Sequence, residues 1–168
     1  MPDTATDERP VLRLQREFEG VDPAQVWRAW TDTQALSAWF CPAHPKDIYR
    51  VECDVHVGGR FCIGFRMPDG QAHEASGKYL EVAPPHLLMF TWAWRDAPER
   101  ESLVTIRLSD SASGTRMDFE HAQFLDEAER DSHEGGWRPA FDNLANFLVE
   151  LRTVAAPLSN KGRKGAPS

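Results

Sequence analysis

A chain of 168 residues, 41% hydrophobic and 27% charged, is long enough for one ordinary domain with a real core and has the profile of a globular protein. A net charge of -7 with no basic cluster inside the folded region argues against nucleic acid as a partner. No apolar run approaches the roughly 20 residues needed for a membrane span. Met1 to Glu8 lacks the charged and then apolar stretches of a signal peptide. The 3 cysteines, Cys41, Cys53 and Cys62, show no metal-ligand spacing. They are expected as free buried thiols in a reducing cytoplasm, with no metal and no cofactor.

Residues 1–10 are polar and without periodicity, which predicts a flexible arm. Leu12 and Leu14 open a first strand that runs to about Glu19, and Gly20 ends it. Asp22 before Pro23 predicts an N-cap with proline at the first helical position, and Val26, Trp27 and Trp30 are spaced for one helix face. Thr33 is the expected cap of a second short helix carrying Leu36, Trp39 and Phe40, stopped by Pro42. From Ile48 to Phe124 the apolar period is two: Val51, Cys53 and Val55; Phe61, Ile63 and Phe65; Leu88, Phe90, Trp92 and Trp94; Val104, Ile106 and Leu108; Met117, Phe119 and His121. Gly58-Gly59, Pro68-Asp69-Gly70, Pro84-Pro85 and Ser111 to Gly114 separate these runs as turns, so the segment reads as an antiparallel meander.

Asp126 to His133 is expected as an acidic helical turn or two, broken or bent by Gly135-Gly136. A long helix then follows, with Pro139 in its first turn and the stripe Trp137, Phe141, Leu144, Leu148 and Leu151. It fades near Ala155-Ala156-Pro157. Residues 11–155 therefore form one domain and 156–168 a disordered basic tail. The only cover available for the apolar face of the sheet is this long helix. The expected class is thus α+β, a helix-grip arrangement with a curved antiparallel sheet of about seven strands around a C-terminal helix and two short helices after the first strand.

Asp22 to Trp27 with Trp39-Phe40, Val57-Gly58-Gly59-Arg60-Phe61, Pro84-Pro85 before Phe90-Thr91-Trp92, Gly114-Thr115-Arg116, and His133-Glu134-Gly135-Gly136-Trp137 stand in a characteristic order. Together they resemble the bacterial homologues of the C-terminal domain of the activator of Hsp90 ATPase (AHSA1-like), within the START/Bet v 1-like SRPBCC superfamily. The resemblance covers about residues 10–152. It implies a helix-grip fold with a cavity between helix and sheet. It implies little about reaction, because that superfamily spans lipid carriers, hormone receptors, polyketide cyclases and oxygenase domains. Its eukaryotic members stimulate an ATPase with the help of an additional N-terminal domain that is not seen here, so Hsp90 is not an expected partner.

The inward rings exceed what one helix needs to cover. A binding pocket for a small apolar or amphipathic molecule (a lipid, polyketide or aromatic) is therefore the leading expectation. Its expected wall is Phe61, Ile63, Phe65, Trp92, Trp94, Met117, Phe119, Trp137 and Phe141, with Trp39 and Phe40 at the mouth. His121 points inward by parity. It is a candidate general base for a cyclase- or hydrolase-like reaction, set against a plain core histidine bonded to the backbone or water. No nucleophile pairs with it, so binding is favoured over catalysis. His133 and Glu134 are candidates for the rim or simply for a helix start, and His44, His56, His73 and His86 are expected at the surface. A stress-related co-chaperone role and a homodimer formed through a sheet edge complete the alternatives.

Overall fold

A computed structural model of the protein describes residues 9–41 and 47–165, with side chains as far as Leu151. Strand β1 (Leu12–Glu19) leads into helices α1 (Pro23–Thr31) and α2 (Thr33–Trp39). The meander follows as β2 (Ile48–Cys53), β3 (Arg60–Arg66), β4 (Ala72–Ala83), β5 (Leu87–Trp94), β6 (Ser102–Asp110) and β7 (Gly114–Ala122). Helix α3 (Glu127–Gly165) closes the chain. Among the described residues, the strands form one antiparallel sheet in the order β1-β7-β6-β5-β4-β3-β2, so β1 crosses over to pair with β7 and lies at one edge, and β2 lies at the other. The expected helix-grip class and strand count are what the fold contains. Pro42, His44 and the first eight residues of the arm lie outside the described residues.

Local chemistry explains the short helices. The Asp22 carboxylate accepts from the Gln25 backbone N–H while the Gln25 side chain accepts from the Asp22 N–H, a complete capping box with Pro23 in the first turn. The second helix is capped by Asp32, not Thr33. Its carboxylate accepts from the Ala35 N–H at 3.0 Å, and the same residue serves as C-cap of α1. A carboxylate is a better N-cap acceptor than a threonine hydroxyl, which is why the boundary moves by one residue.

The sheet bends over its inner face where side chains are missing. Gly77 on β4 faces Phe61 across the ladder, and a Cβ there would overlap the Thr91 carbonyl and the Phe61 ring. The close approach of β5 to this bend depends on glycine. The inner face carries Phe61, Ile63 and Phe65 from β3, Leu88, Phe90 and Trp92 from β5, and Met117, Phe119 and His121 from β7, all buried. Trp137, Ala140, Phe141, Leu144 and Leu148 of α3 press against them. Leu151, the last residue of the expected stripe, is 39% exposed and lies by the groove between α3 and α1 rather than in the core.

Helix α3 differs from the expected arrangement in a way that matters for the site. It is continuous from Glu127, and Gly135-Gly136 neither break nor separate it. Asp126 caps it by accepting from the Glu129 N–H at 2.8 Å. Pro139 therefore lies in the helix interior, where it forfeits the bond to the Gly135 carbonyl. Packing of Trp137 and His133 onto the sheet outweighs these local breakers. The backbone helix also continues past Pro157 to Gly165, beyond the expected end.

Gly135 is exposed, and a Cβ added there meets nothing within 4 Å. Gly135→Ala is accordingly expected to stabilise the protein by about 0.5–1 kcal/mol, the usual helix-interior difference. Urea unfolding midpoints measure this. A loss of stability instead would mean that the helix uses the glycine to bend around Pro139.

Candidate functional site

The interior is mostly filled. Trp30, from α1, stands at its centre, 4.8 Å edge-on from Trp39 and 6.0 Å from both Trp137 and Phe141, ring centre to ring centre. Phe119 meets Trp137 at 4.7 Å and Phe141 at 4.9 Å. Among the described residues, two small hollows lie within it. The outer one, about 70 Å³, opens between the first turns of α3 and the sheet. Phe65, Trp92 and Trp94 supply its sheet side, Ser132, His133, Gly136, Trp137 and Ala140 its helix side, and Phe40 its end. The inner one, about 20 Å³, lies under Phe40 and Trp92 toward Trp30, Phe61, Ile63 and Phe90. Phe40 and Trp92 border both hollows.

The expected wall residues are therefore divided. Phe40, Phe65, Trp92, Trp94 and Trp137 border the outer hollow, and Phe61 and Ile63 the inner one. Met117, Phe119 and Phe141 are buried in the packed core and border neither. Trp39 is fully buried, its indole N–H donating to the Ala29 carbonyl at 2.9 Å, and it does not form the mouth. The sequence marks none of Trp30, Ser132, Gly136 and Ala140 as a pocket residue, and reads Gly136 only as a helix breaker. Trp30 carried a core signal only, and the other three are too small to stand out in an apolar pattern.

Polar groups bind the rings into a defined network. The Trp137 indole N–H donates to His121 Nδ1 at 3.1 Å. A neutral His121 must then carry its proton on Nε2, which donates to Ser102 Oγ at 2.7 Å. The Ser102 hydroxyl in turn donates to the Trp92 carbonyl at 3.2 Å. His121 is completely buried, and burial, followed by the nearby His133, holds its pKa well below the usual imidazole range. Both ring nitrogens are occupied by protein partners, so the imidazole has no free lone pair for a substrate proton. Ser102 was legible in principle: it faces Trp92 across the β5–β6 ladder and shares its face with Val104 and Ile106.

His133 mirrors this arrangement. Its Nε2 accepts from the Trp94 indole N–H at 3.1 Å and its Nδ1–H donates to the Glu129 carbonyl at 2.9 Å. Burial lowers its pKa, partly offset by that carbonyl bond and by the Glu129 charge. A helix tryptophan thus donates to a strand histidine, and a strand tryptophan donates to a helix histidine. The two imidazoles lie 5.0 Å apart. Glu134 turns away from the pocket and accepts from Arg138 at 2.7 Å.

Of the other histidines, His56 and His86 are exposed, whereas His73 is half-buried with its ring 5.9 Å from both Phe65 and Trp94. The three cysteines are free, Cys41 fully buried and the other two half-buried. Among the described residues, no three His, Cys, Asp or Glu side chains converge to hold a metal ion. No helix among them is long and apolar enough to cross a membrane.

The fold has known counterparts. The chain is 28% identical to the AHSA1 protein of Silicibacter pomeroyi, whose crystal structure superposes with a TM-score of 0.70 over 83% of this chain and 98% of that one. A protein of Nitrosomonas europaea is 27% identical, with a TM-score of 0.71 over 88% of this chain and 99% of the other. One from Rhodobacter sphaeroides is 25% identical, with a TM-score of 0.72 over 84% and 93% respectively. No curated protein matches. Residues 21–149, which span α1 through the pocket-forming turns of α3, match the family described as activator of Hsp90 ATPase homolog 1-like protein, and the chain belongs to that family.

Proposed function

We propose that this protein binds a small apolar or amphipathic molecule in the outer hollow, with Phe40 as the wall that yields. The observation that carries this reading is a pair of hollows that share Phe40 and Trp92 as lining. Neither hollow by itself matches the ~150 Å³ that takes up benzene in an engineered apolar cavity. A guest must therefore displace a side chain. Trp92 sits on β5, flanked by β4 and β6, and its backbone carbonyl accepts from Ser102. Phe40 is the C-cap residue of α2, outside the sheet, and is held by ring contacts to Trp39 at 5.5 Å, Trp137 at 5.6 Å, Trp92 at 6.0 Å and Phe65 at 6.4 Å. It is the cheaper of the two to move. The sizes favour a guest of one or two rings, or the tip of a larger molecule, over an enclosed lipid chain. His121, with both nitrogens engaged, supports binding over proton transfer.

The test is a titration with indane, indole and naphthalene, followed by tryptophan emission and melting temperature. Binding at 100 times Kd is expected to stabilise the fold by about 2.7 kcal/mol. Phe40→Ala merges the hollows. It is expected to lower the stability of the free protein by about 3 kcal/mol while tightening binding of the same compounds. Absence of any response in both proteins would remove the binding reading.

A further inference from the structure

The tryptophans of the interior and its pocket fall into two groups. Trp39, Trp94 and Trp137 each donate their indole N–H to a protein acceptor. Trp30 and Trp92, 4% and 3% exposed, do not: their Nε1 atoms are buried with no partner among the described residues. Both of these residues border the inner hollow, and Trp92 borders the outer one as well. Two residues that border the same small space each carry an unsatisfied indole donor, which suits that space to an acceptor, because a buried N–H without a partner is costly and such groups are rare in folded proteins.

We infer that the bound molecule carries an uncharged oxygen acceptor, a ketone, quinone or lactone carbonyl, which enters the inner hollow past Phe40 and takes the N–H groups of Trp30 and Trp92. This rests on the binding reading proposed above and adds the chemical class of the ligand. A carbonyl oxygen has two lone pairs and can accept from both indoles. A hydroxyl would bring a donor of its own into a chamber whose remaining lining is aromatic and aliphatic apart from the Tyr79 phenol. A carboxylate is disfavoured because, among the described residues, no lysine or arginine borders either hollow. The hollow, at about 20 Å³, is large enough for one oxygen-sized group.

Indane and 1-indanone differ by this one acceptor and serve as probes on the full-length protein labelled with ¹⁵N at its tryptophan indoles. The ketone is expected to bind about tenfold or more tightly than the hydrocarbon. The Trp30 and Trp92 indole proton resonances should move downfield on binding while that of Trp39 stays in place. Trp92→Phe and Trp30→Phe, which keep a ring and remove the donor, should each reduce the preference. Equal affinity for the two probes, indole resonances that do not move, or a preference that survives in both variants would overturn the acceptor assignment and leave the binding reading standing. Failure of both probes to bind would overturn the two together.

Discussion

Trp30→Ala is expected to cost a large share of the stability of the fold and to turn its filled centre into a real cavity. The side chain is 4% exposed and touches rings from four other elements: Trp39 of α2, Phe90 of β5, Phe119 of β7, and Trp137 and Phe141 of α3. Removing a core aromatic of this kind typically costs about 3–5 kcal/mol, because the surrounding groups relax only partly into the space. One term acts in the opposite direction. The Trp30 N–H has no partner among the described residues, and deleting a buried orphan donor recovers on the order of 1–3 kcal/mol of desolvation penalty. The net loss should therefore fall at or below the lower end of the range. Trp30→Phe, which retains most of the ring contacts and drops the orphan, should lose well under half as much. Urea unfolding of both variants gives the comparison. Adding indole to Trp30→Ala should restore stability in proportion to its saturation. If the phenylalanine variant proved as damaging as alanine, the N–H would have to be satisfied in the native state, by an ordered water for instance.

The inward faces of this fold were written plainly in the sequence, and the space between them was not. Alternation in Phe61-Ile63-Phe65, Leu88-Phe90-Trp92 and Met117-Phe119-His121 fixes which side chains point inward, because a strand has a strict period of two. The helical spacing of Trp137, Phe141, Leu144 and Leu148 similarly fixes the covering face. Whether rings meeting from the two sides touch or leave a gap depends on rotamers and on how deeply a third element inserts. Here α1 supplies that element, and Trp30 occupies ground that the pattern of the sheet alone leaves open. The helix side of the pocket was hidden for a different reason. Gly135, Gly136 and Pro139 are strong local breakers, so the segment carrying Ser132 and His133 reads as a separate turn. Tertiary bonds that no local propensity encodes, Trp94 to His133 and Trp137 to His121, join it into one helix. Breakers inside a helix that lines a pocket are a case in which the local rule fails at the site itself.

Acidification is expected to weaken this protein well above the range in which carboxylates titrate, through the same two histidines. In the folded state both are neutral acceptors for tryptophan N–H groups, and burial lowers both pKa values, His121 more than His133. In the unfolded chain each returns to an ordinary value of about 6.5. Below that pH the unfolded state binds protons that the folded state refuses, so stability is complete above pH 6.5 and falls as the pH falls. The loss levels off only when the folded pKa values are reached, His133 first. Linkage gives about 1.4 kcal/mol for each histidine between pH 7.5 and 5.5 if neither is protonated when folded, and roughly twice that for the pair. Protonation of either ring also places an N–H against an indole N–H, so the contacts that pin α3 to the sheet are the ones that fail. Urea midpoints at the two pH values measure the loss. His121→Asn keeps an acceptor for Trp137 but cannot titrate. Whatever it costs at pH 7.5, it should remove about half of the pH dependence. A midpoint that stays constant from pH 7.5 to 5.5 in the wild-type protein would mean that the histidines take up protons equally well in both states, which is incompatible with neutral imidazoles that accept from tryptophan in the fold.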